Sequence, residues 1–62
     1  MKIRVEIQPD FENEVADVFI VIEDDKEIKN CWVKGFDDVD WKEAQEYAHK
    51  LAAALNVEFV DE

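Results

Sequence analysis

Few side chains in this 62-residue chain could perform covalent or acid–base chemistry. The sequence contains no serine and no threonine, so Tyr47 carries its one hydroxyl side chain. Cys31 is the single cysteine and His49 is the single histidine. A side-chain nucleophile needs a base within hydrogen-bond reach and a third group that orients this base. The sequence offers no such set, which excludes most enzymes that use a nucleophile.

Both Cys31 and His49 have a simple structural interpretation. Cys31 lies in a predicted strand beside Trp32 and lacks the basic neighbours that activate a thiol, so we expect a small buried apolar residue. His49 falls on the helix face away from the apolar stripe, which predicts an exposed polar residue and not a ligand or a catalytic base. One cysteine excludes an internal disulfide and is typical of a reducing, cytoplasmic setting.

Carboxylates are abundant, but their spacing matches no known metal motif. The runs Asp24-Asp25 and Asp37-Asp38-Val39-Asp40 lack the alternating oxygen ligands and the central glycine of a calcium loop. A single glycine leaves no phosphate-binding loop. A domain this small also has little room for a substrate pocket. The sequence therefore predicts a protein that is not an enzyme, with no catalytic residue, no metal and no cofactor.

The carboxylates give the chain a formal net charge of −10. Residues 1–31 hold nine acidic and four basic residues, and residues 32–62 hold eight and three, so each half carries −5. The charge therefore belongs to the folded body and not to a tail. Such a surface repels nucleic acid and anionic membranes, and it attracts basic protein surfaces through fast, salt-sensitive association. Acidity that only keeps the protein soluble is the alternative interpretation.

Hydrophobic alternation predicts three strands before the helix, over residues 2–8, 16–23 and about 28–34. We expect Pro9 to end the first strand, because proline cannot donate to a ladder. Residues 24–27 read as a hairpin tip, which places Phe19 opposite Trp32 and Val18 opposite Val33. In this register Phe19 and Trp32 lie on the sheet face that the helix leaves open. A slip by one residue would instead bury Trp32 in the core.

The helix has the strongest pattern in the chain. Asp40 and Glu43 match an Asp-x-x-Glu capping box, and Val39 is placed to pack on Ala44 as a hydrophobic staple. Asn56 is the expected stop, followed by a short strand over 57–60. An apolar stripe at three- and four-residue spacing predicts the buried face of the helix, with Tyr47 and Ala52 beside it. Its members are Trp41, Ala44, Ala48, Leu51 and Leu55.

The order β-β-β-α-β predicts a single α+β domain over residues 1–62. We expect a three-stranded antiparallel meander, one amphipathic helix packed on one face, and a short fourth strand parallel to strands 1 and 3. The longest apolar run, residues 18–22, is far shorter than a membrane span, and the strand-like start predicts no signal peptide. The loops after strands 1 and 3 should meet at one end of the sheet, which gathers seven carboxylates there. They belong to Asp10, Glu12, Glu14, Asp17, Asp37, Asp38 and Asp40.

Three short stretches carry a resemblance to known families. They are the charged hairpin tip at 24–27, the run Trp32-Val33-Lys34-Gly35-Phe36, and Lys42-Glu43-Ala44 at the start of the helix. Through them, residues 18–55 resemble the β-β-β-α layout of integrase arm-type and AP2-like DNA-binding domains. The Lys-Glu-Ala opening and the alanine-rich 48–55 are similar to the C-terminal half of double-stranded RNA-binding domains.

Those families present lysine and arginine to phosphates, whereas this chain presents acidic residues at the corresponding positions. The resemblance therefore implies a fold outline and supplies no DNA-contacting residue. In size, charge and lack of catalytic residues, the chain resembles small acidic phage inhibitors of restriction, CRISPR or nucleoid proteins. That second resemblance implies a DNA mimic of the anti-CRISPR kind, acting on a basic protein.

Two functions therefore compete. The first is an acidic binding protein that mimics nucleic acid and inhibits a basic nucleic-acid-handling protein. The alternative is a structural or assembly protein that forms a homodimer. A nucleic-acid binder that uses a small basic stripe is a third, minor hypothesis. The predicted partner-binding residues are Asp10, Glu12, Glu14, Asp24, Asp25, Glu27, Asp37, Asp38, Asp40, Phe19 and Trp32.

Overall fold

A computed structural model describes the backbone of residues 1–61 and the side chains of residues 1–60. Strands β1 (Lys2–Asp10), β2 (Val15–Glu23) and β3 (Ile28–Asp37) form an antiparallel meander. A 3-10 turn (Asp38–Asp40) leads into α1 (Trp41–Leu55), and β4 (Glu58–Asp61) follows. The sheet order is β3-β2-β1-β4, and β4 runs parallel to β1. The predicted α+β architecture is therefore confirmed, and β1 is the strand that β4 joins.

The core lies between the sheet and an alanine face of α1. Alanine side chains let the helix approach the sheet closely, so the larger aliphatic side chains of β1 and β2 fill the space between the two layers. Leu51 is only half-buried and Leu55 is 45% exposed, so the stripe is centred closer to the alanines than the spacing predicted. The buried residues of this core are Val5, Ile7, Ala16, Val18, Ala44, Ala48 and Ala52.

The start of α1 differs from the prediction. Asp40 precedes the helix, but its side chain makes no capping hydrogen bond, and Val39 is 86% exposed instead of packed on Ala44. The 3-10 turn gives Asp40 φ and ψ angles of −100° and 30°, whereas a capping side chain normally needs an extended backbone. The predicted capping box and staple are therefore wrong: the backbone at Asp40 is not extended, its side chain caps no helical N–H group, and Val39 remains exposed to solvent.

The end of α1 follows the prediction. Asn56 adopts the left-handed conformation with φ 56°. Its N–H donates to the Ala53 carbonyl at 3.2 Å, and the Val57 N–H donates to the Ala52 carbonyl at 3.0 Å. These two bonds form a Schellman motif, which ends the helix and turns the chain toward β4.

Two strands run further than their sequence patterns predicted. Pro9 lies inside β1 and pairs with Ala16. It does not end β1: the described part of β4 pairs with β1 only up to Ile7, so no described strand needs a hydrogen bond from Pro9 on that side. Strand β3 continues through Gly35 to Asp37. Within residues 1–61, no helix has the length and apolar character needed to cross a bilayer.

The register of β2 and β3 is the predicted one from the hairpin to Trp32, which pairs with Phe19. Beyond that point an irregularity in β3 leaves Val33 unpaired, so Val18 pairs with Lys34 and not with Val33. One extra residue reverses the faces of all later side chains. The bulge therefore places Lys34 and Phe36 on the helix side of the sheet.

Candidate functional site

The loop after β1 and the segment after β3 meet at one end of the sheet, as predicted. Asp37 pairs with Val15, and the Asp38 N–H donates to the Glu14 carbonyl at 2.9 Å. Glu14 has φ 55°, which is uncommon for a residue other than glycine. We call this region the loop end. Its carboxylates belong to Asp10, Glu12, Glu14, Asp37, Asp38 and Asp40.

Asp10 shapes the loop end from within. Its Oδ2 accepts the Asn13 side-chain amide at 2.7 Å, and its Oδ1 accepts the N–H groups of Glu12 and Asn13 at 3.2 and 3.3 Å. These hydrogen bonds lower the pKa of Asp10, and the bond from the Asn13 side-chain amide contributes most. Asp10 therefore stays ionised while it holds the loop, and Glu12 and Glu14 remain exposed beside it.

Asp24 has the same role at the opposite end, which we call the hairpin tip (Asp24–Glu27). Its Oδ1 accepts the N–H groups of Lys26 at 2.8 Å and Glu27 at 2.9 Å. These hydrogen bonds lower the pKa of Asp24, and the bond from the Lys26 N–H contributes most. Asp24 therefore stabilises the turn, and Asp25 and Glu27 are the exposed carboxylates next to it.

We expect Asp24→Ala to lower the melting temperature at neutral pH. The folded state binds the ionised carboxylate better, so this stabilisation is present above the ordinary pKa of 3.8 and is lost as the pH falls through the lowered value. The difference in melting temperature between wild type and variant should therefore stay constant from about pH 7 to about pH 5 and narrow as the pH falls further, in thermal melts followed by circular dichroism. The matched control is Asp25→Ala. A gap that does not depend on pH would contradict the role given to the Asp24 carboxylate.

Trp32 lies on the open sheet face, as the predicted register required. Its indole Nε1 donates to the Asp17 Oδ1 at 3.1 Å, yet the residue is 61% exposed. A Cβ atom at Gly35 would lie 3.0 Å from that same oxygen and 3.6 Å from Cζ2 of Trp32. Glycine therefore leaves room for the Trp32–Asp17 contact. Phe19 is half-buried beside it, and Phe11 is 86% exposed, so the loop does not cover this face.

The β1 part of the open face holds an ion-pair group that sequence reasoning missed. Arg4 Nε donates to the Glu6 carboxylate, and Arg4 Nη1 lies 3.5 Å from Oε1 of Glu23. The hydrogen bond to Glu6 raises the pKa of Arg4. Glu6 is only 4% exposed, although it alternates with the apolar residues of β1 and lies on the face opposite the helix. Opposite charges two residues apart on one strand share a face, and that spacing was the available signal.

A shallow, open depression of about 680 Å³ lies beside the last residues of β3. Four carboxylates line it, from Asp17, Asp37, Asp40 and Glu43. Aromatic side chains of Trp32 and Phe36 line it as well. Asp17, Asp37 and Asp40 belong to the seven carboxylates predicted at this end of the sheet, and Glu43 joins them. The depression combines negative charge with aromatic surface, which is the chemistry that recognises arginine and lysine side chains.

Lys34 also lines the depression, but its amino group has partners on the helix side. Its Nζ lies 5.0 Å from the ring centroid of Phe36 and 5.3 Å from that of Tyr47. The two rings lie 5.6 Å apart, so both of them interact with the same cation. This position follows from the bulge at Val33, which turns Lys34 to the helix face. The depression therefore keeps an excess of negative charge.

Cys31 and His49 lie far apart: Cys31 is on β3 at one edge of the sheet, and His49 is on α1 beside β4 at the other edge. Cys31 is on β3 and is exposed, so the expectation of a buried cysteine was wrong. It lies on an edge strand that the core alanines do not cover. His49 is exposed, as predicted, and its ring contacts Phe59 of β4 at 4.4 Å between centroids. Three inter-strand spacings of about 4.8 Å separate β3 from β4, so thiol and imidazole do not form a pair.

Among the described residues, no group of three or more potential ligands is placed to hold a metal ion. Comparison of the chain with protein-family models finds no match, and searches of curated proteins and of solved structures find no significant match either.

Proposed function

We propose that this protein is a non-enzymatic binding protein that engages the basic surface of a nucleic-acid-handling protein. The observation that carries the proposal is the depression beside β3, which is lined by four carboxylates and by the exposed Trp32. In this proposal the carboxylates take the place of phosphates and inhibit the partner by occupying its nucleic-acid site. Trp32 and Phe19 supply the apolar contact that holds the complex after electrostatic attraction has brought the two proteins together.

The distribution of charge along the molecule supports this proposal. The loop end and the hairpin tip lie at opposite ends of β2, whose nine residues span roughly 30 Å at about 3.4 Å per residue. A B-form duplex completes one turn in about 34 Å. A partner surface built to follow a duplex over one turn would therefore meet acidic groups at both ends of this protein.

Affinity capture from a cell lysate tests the proposal. The tagged protein should retain basic nucleic-acid-binding proteins at low salt and release them as the salt concentration rises. Added duplex DNA or RNA should displace them, because nucleic acid and the acidic surface would compete for one site. Captured proteins that are not basic, or that nucleic acid does not displace, would contradict the proposed mimicry.

The exposed indole on the open face favours the second candidate, a homodimer. Trp32 is 61% exposed and Ile28, on the same face, is 57% exposed. Against it, Arg4, Glu6 and the net charge of −10 make the rest of that face a poor surface for a second copy. Obligate dimer interfaces are large and apolar.

Sedimentation equilibrium distinguishes the two candidates. We expect a monomer over the micromolar range at low salt, where repulsion between two copies of charge −10 is least screened. A dimer that persists at low salt and dissociates on Trp32→Ala would favour the assembly function. The matched control is Phe11→Ala, which removes an aromatic residue that is 86% exposed and lies in the loop after β1.

A further inference from the structure

Strand β3 ends the sheet with a free edge. It is ten residues long, and within the described part of the chain it pairs only with β2. Most of its residues are exposed, and Val33 and Phe36 are half-buried. Edge strands present a row of unpaired N–H and C=O groups, which can accept a further strand. The other edge, β4, has four residues and offers a much shorter row.

The bulge at Val33 divides the β3 edge into two parts. The part from Lys34 to Asp37 is regular and runs along the acidic depression. Asp37 lies on the open side of this part, where Asp17 is also found, and Asp40 and Glu43 lie toward the helix. Side chains of an added strand would point alternately to these two sides. Side chains of the added strand would therefore meet carboxylates on the open side and on the helix side.

We propose that the Lys34–Asp37 edge of β3 binds an extended arginine- or lysine-rich segment of a partner protein as an additional strand. This inference rests on the proposed function and names the element that binds and the conformation that is bound. Backbone hydrogen bonds to the edge supply affinity, and the carboxylates select basic side chains. Trp32 lies beside the edge and offers its ring to an arginine on the open side.

Charge complementarity favours this occupant over a second copy of the chain. Pairing two β3 edges would bring together two proteins that each carry −10. The bulge at Val33 would also fall within such a pair and interrupt it. A basic segment, in contrast, neutralises the carboxylates on both sides of the edge.

A synthetic peptide of alternating arginine and valine tests the inference with the intact protein. Two isomeric peptides serve as matched probes: one carries N-methyl groups on its valine amides, and the other carries them on its arginine amides. Alternate residues of a strand direct their N–H groups to opposite edges, so each modification blocks one edge and leaves the charge unchanged. We expect one isomer to lose at least about tenfold in affinity by calorimetry and the other to stay within about threefold of the unmodified peptide.

Nuclear magnetic resonance locates the binding. On addition of the unmodified peptide, the amide resonances of residues 34–37 should shift more than those of β4. Exchange of these amides with solvent should also slow, whereas exchange in β4 should change less. Equal binding of all three peptides would overturn the strand addition, while the proposed acidic function would survive. Failure of the unmodified peptide to bind at low salt would count against both. Exchange protection of residues 34–37 that rises with protein concentration, without peptide, would assign the edge to a second copy and overturn the proposal.

Discussion

Replacement of Asp37 and Asp38 with asparagine is expected to weaken binding to a captured basic partner by at least about tenfold, or about 1.4 kcal/mol. Both residues are exposed, and neither the 3-10 turn nor α1 receives a side-chain cap from Asp37 or Asp40. Asparagine keeps the size and the turn preference of aspartate, so the backbone at the loop end should be preserved. The loss of affinity would then measure the contribution of negative charge at the loop end.

The matched control removes the same charge elsewhere. Glu46→Gln with Glu58→Gln also takes the net charge from −10 to −8, but Glu46 lies on the exposed part of α1 and Glu58 lies on β4. We expect less than about a threefold change for this pair, because the Debye length near physiological salt is about 8 Å. Calorimetry with both double variants under one salt condition measures the difference. Equal weakening by the two variants would show that only net charge matters, as the solubility interpretation holds.

The fold could be predicted from the sequence because each element has its own signal. Alternation in β1 and β2, the charged hairpin tip and the helical spacing of 41–55 required no tertiary information. The order of the elements then fixed β4 as parallel to β1 and β3. The predictions that failed concern features that depend on neighbouring elements: β1 continues through Pro9, which pairs with Ala16, and Asp40 makes no capping bond after the 3-10 turn.

The candidate site was predictable in outline and not in detail. Topology alone brought the loop after β1 to the segment after β3, and the hydrogen bond between Asp38 and Glu14 confirms that placement. The bulge at Val33 has no clear sequence signature, and it decides the face of Lys34. The depression and the position of Glu43 in it depend on how β3 and α1 pack together, which the sequence pattern does not specify. The prediction that Cys31 is buried failed because strand periodicity does not tell an edge strand from a central one.

The second large effect concerns stability, and Ile7→Ala is the variant that shows it. Ile7 is fully buried between the sheet and α1. Truncation of a buried isoleucine to alanine costs roughly 2–5 kcal/mol, and the cost is greater when the cavity cannot collapse. The helix side of this core is formed by Ala44, Ala48 and Ala52, which have no side-chain rotamers that could fill the space. The loss should therefore lie in the upper part of this range.

The consequence is severe because the domain is small. At roughly 0.05–0.15 kcal/mol per residue, a chain of 62 residues has a stability of only about 3–9 kcal/mol. Urea unfolding should show the midpoint of Ile7→Ala falling by half or more, or the variant unfolded without denaturant. Ile3→Ala is the matched control, with the same change in the same strand at a position 39% exposed, and it should cost about 1 kcal/mol or less. Similar losses for the two variants would mean that α1 does not cover β1 more tightly at Ile7 than at Ile3, which would contradict the packing described for the core.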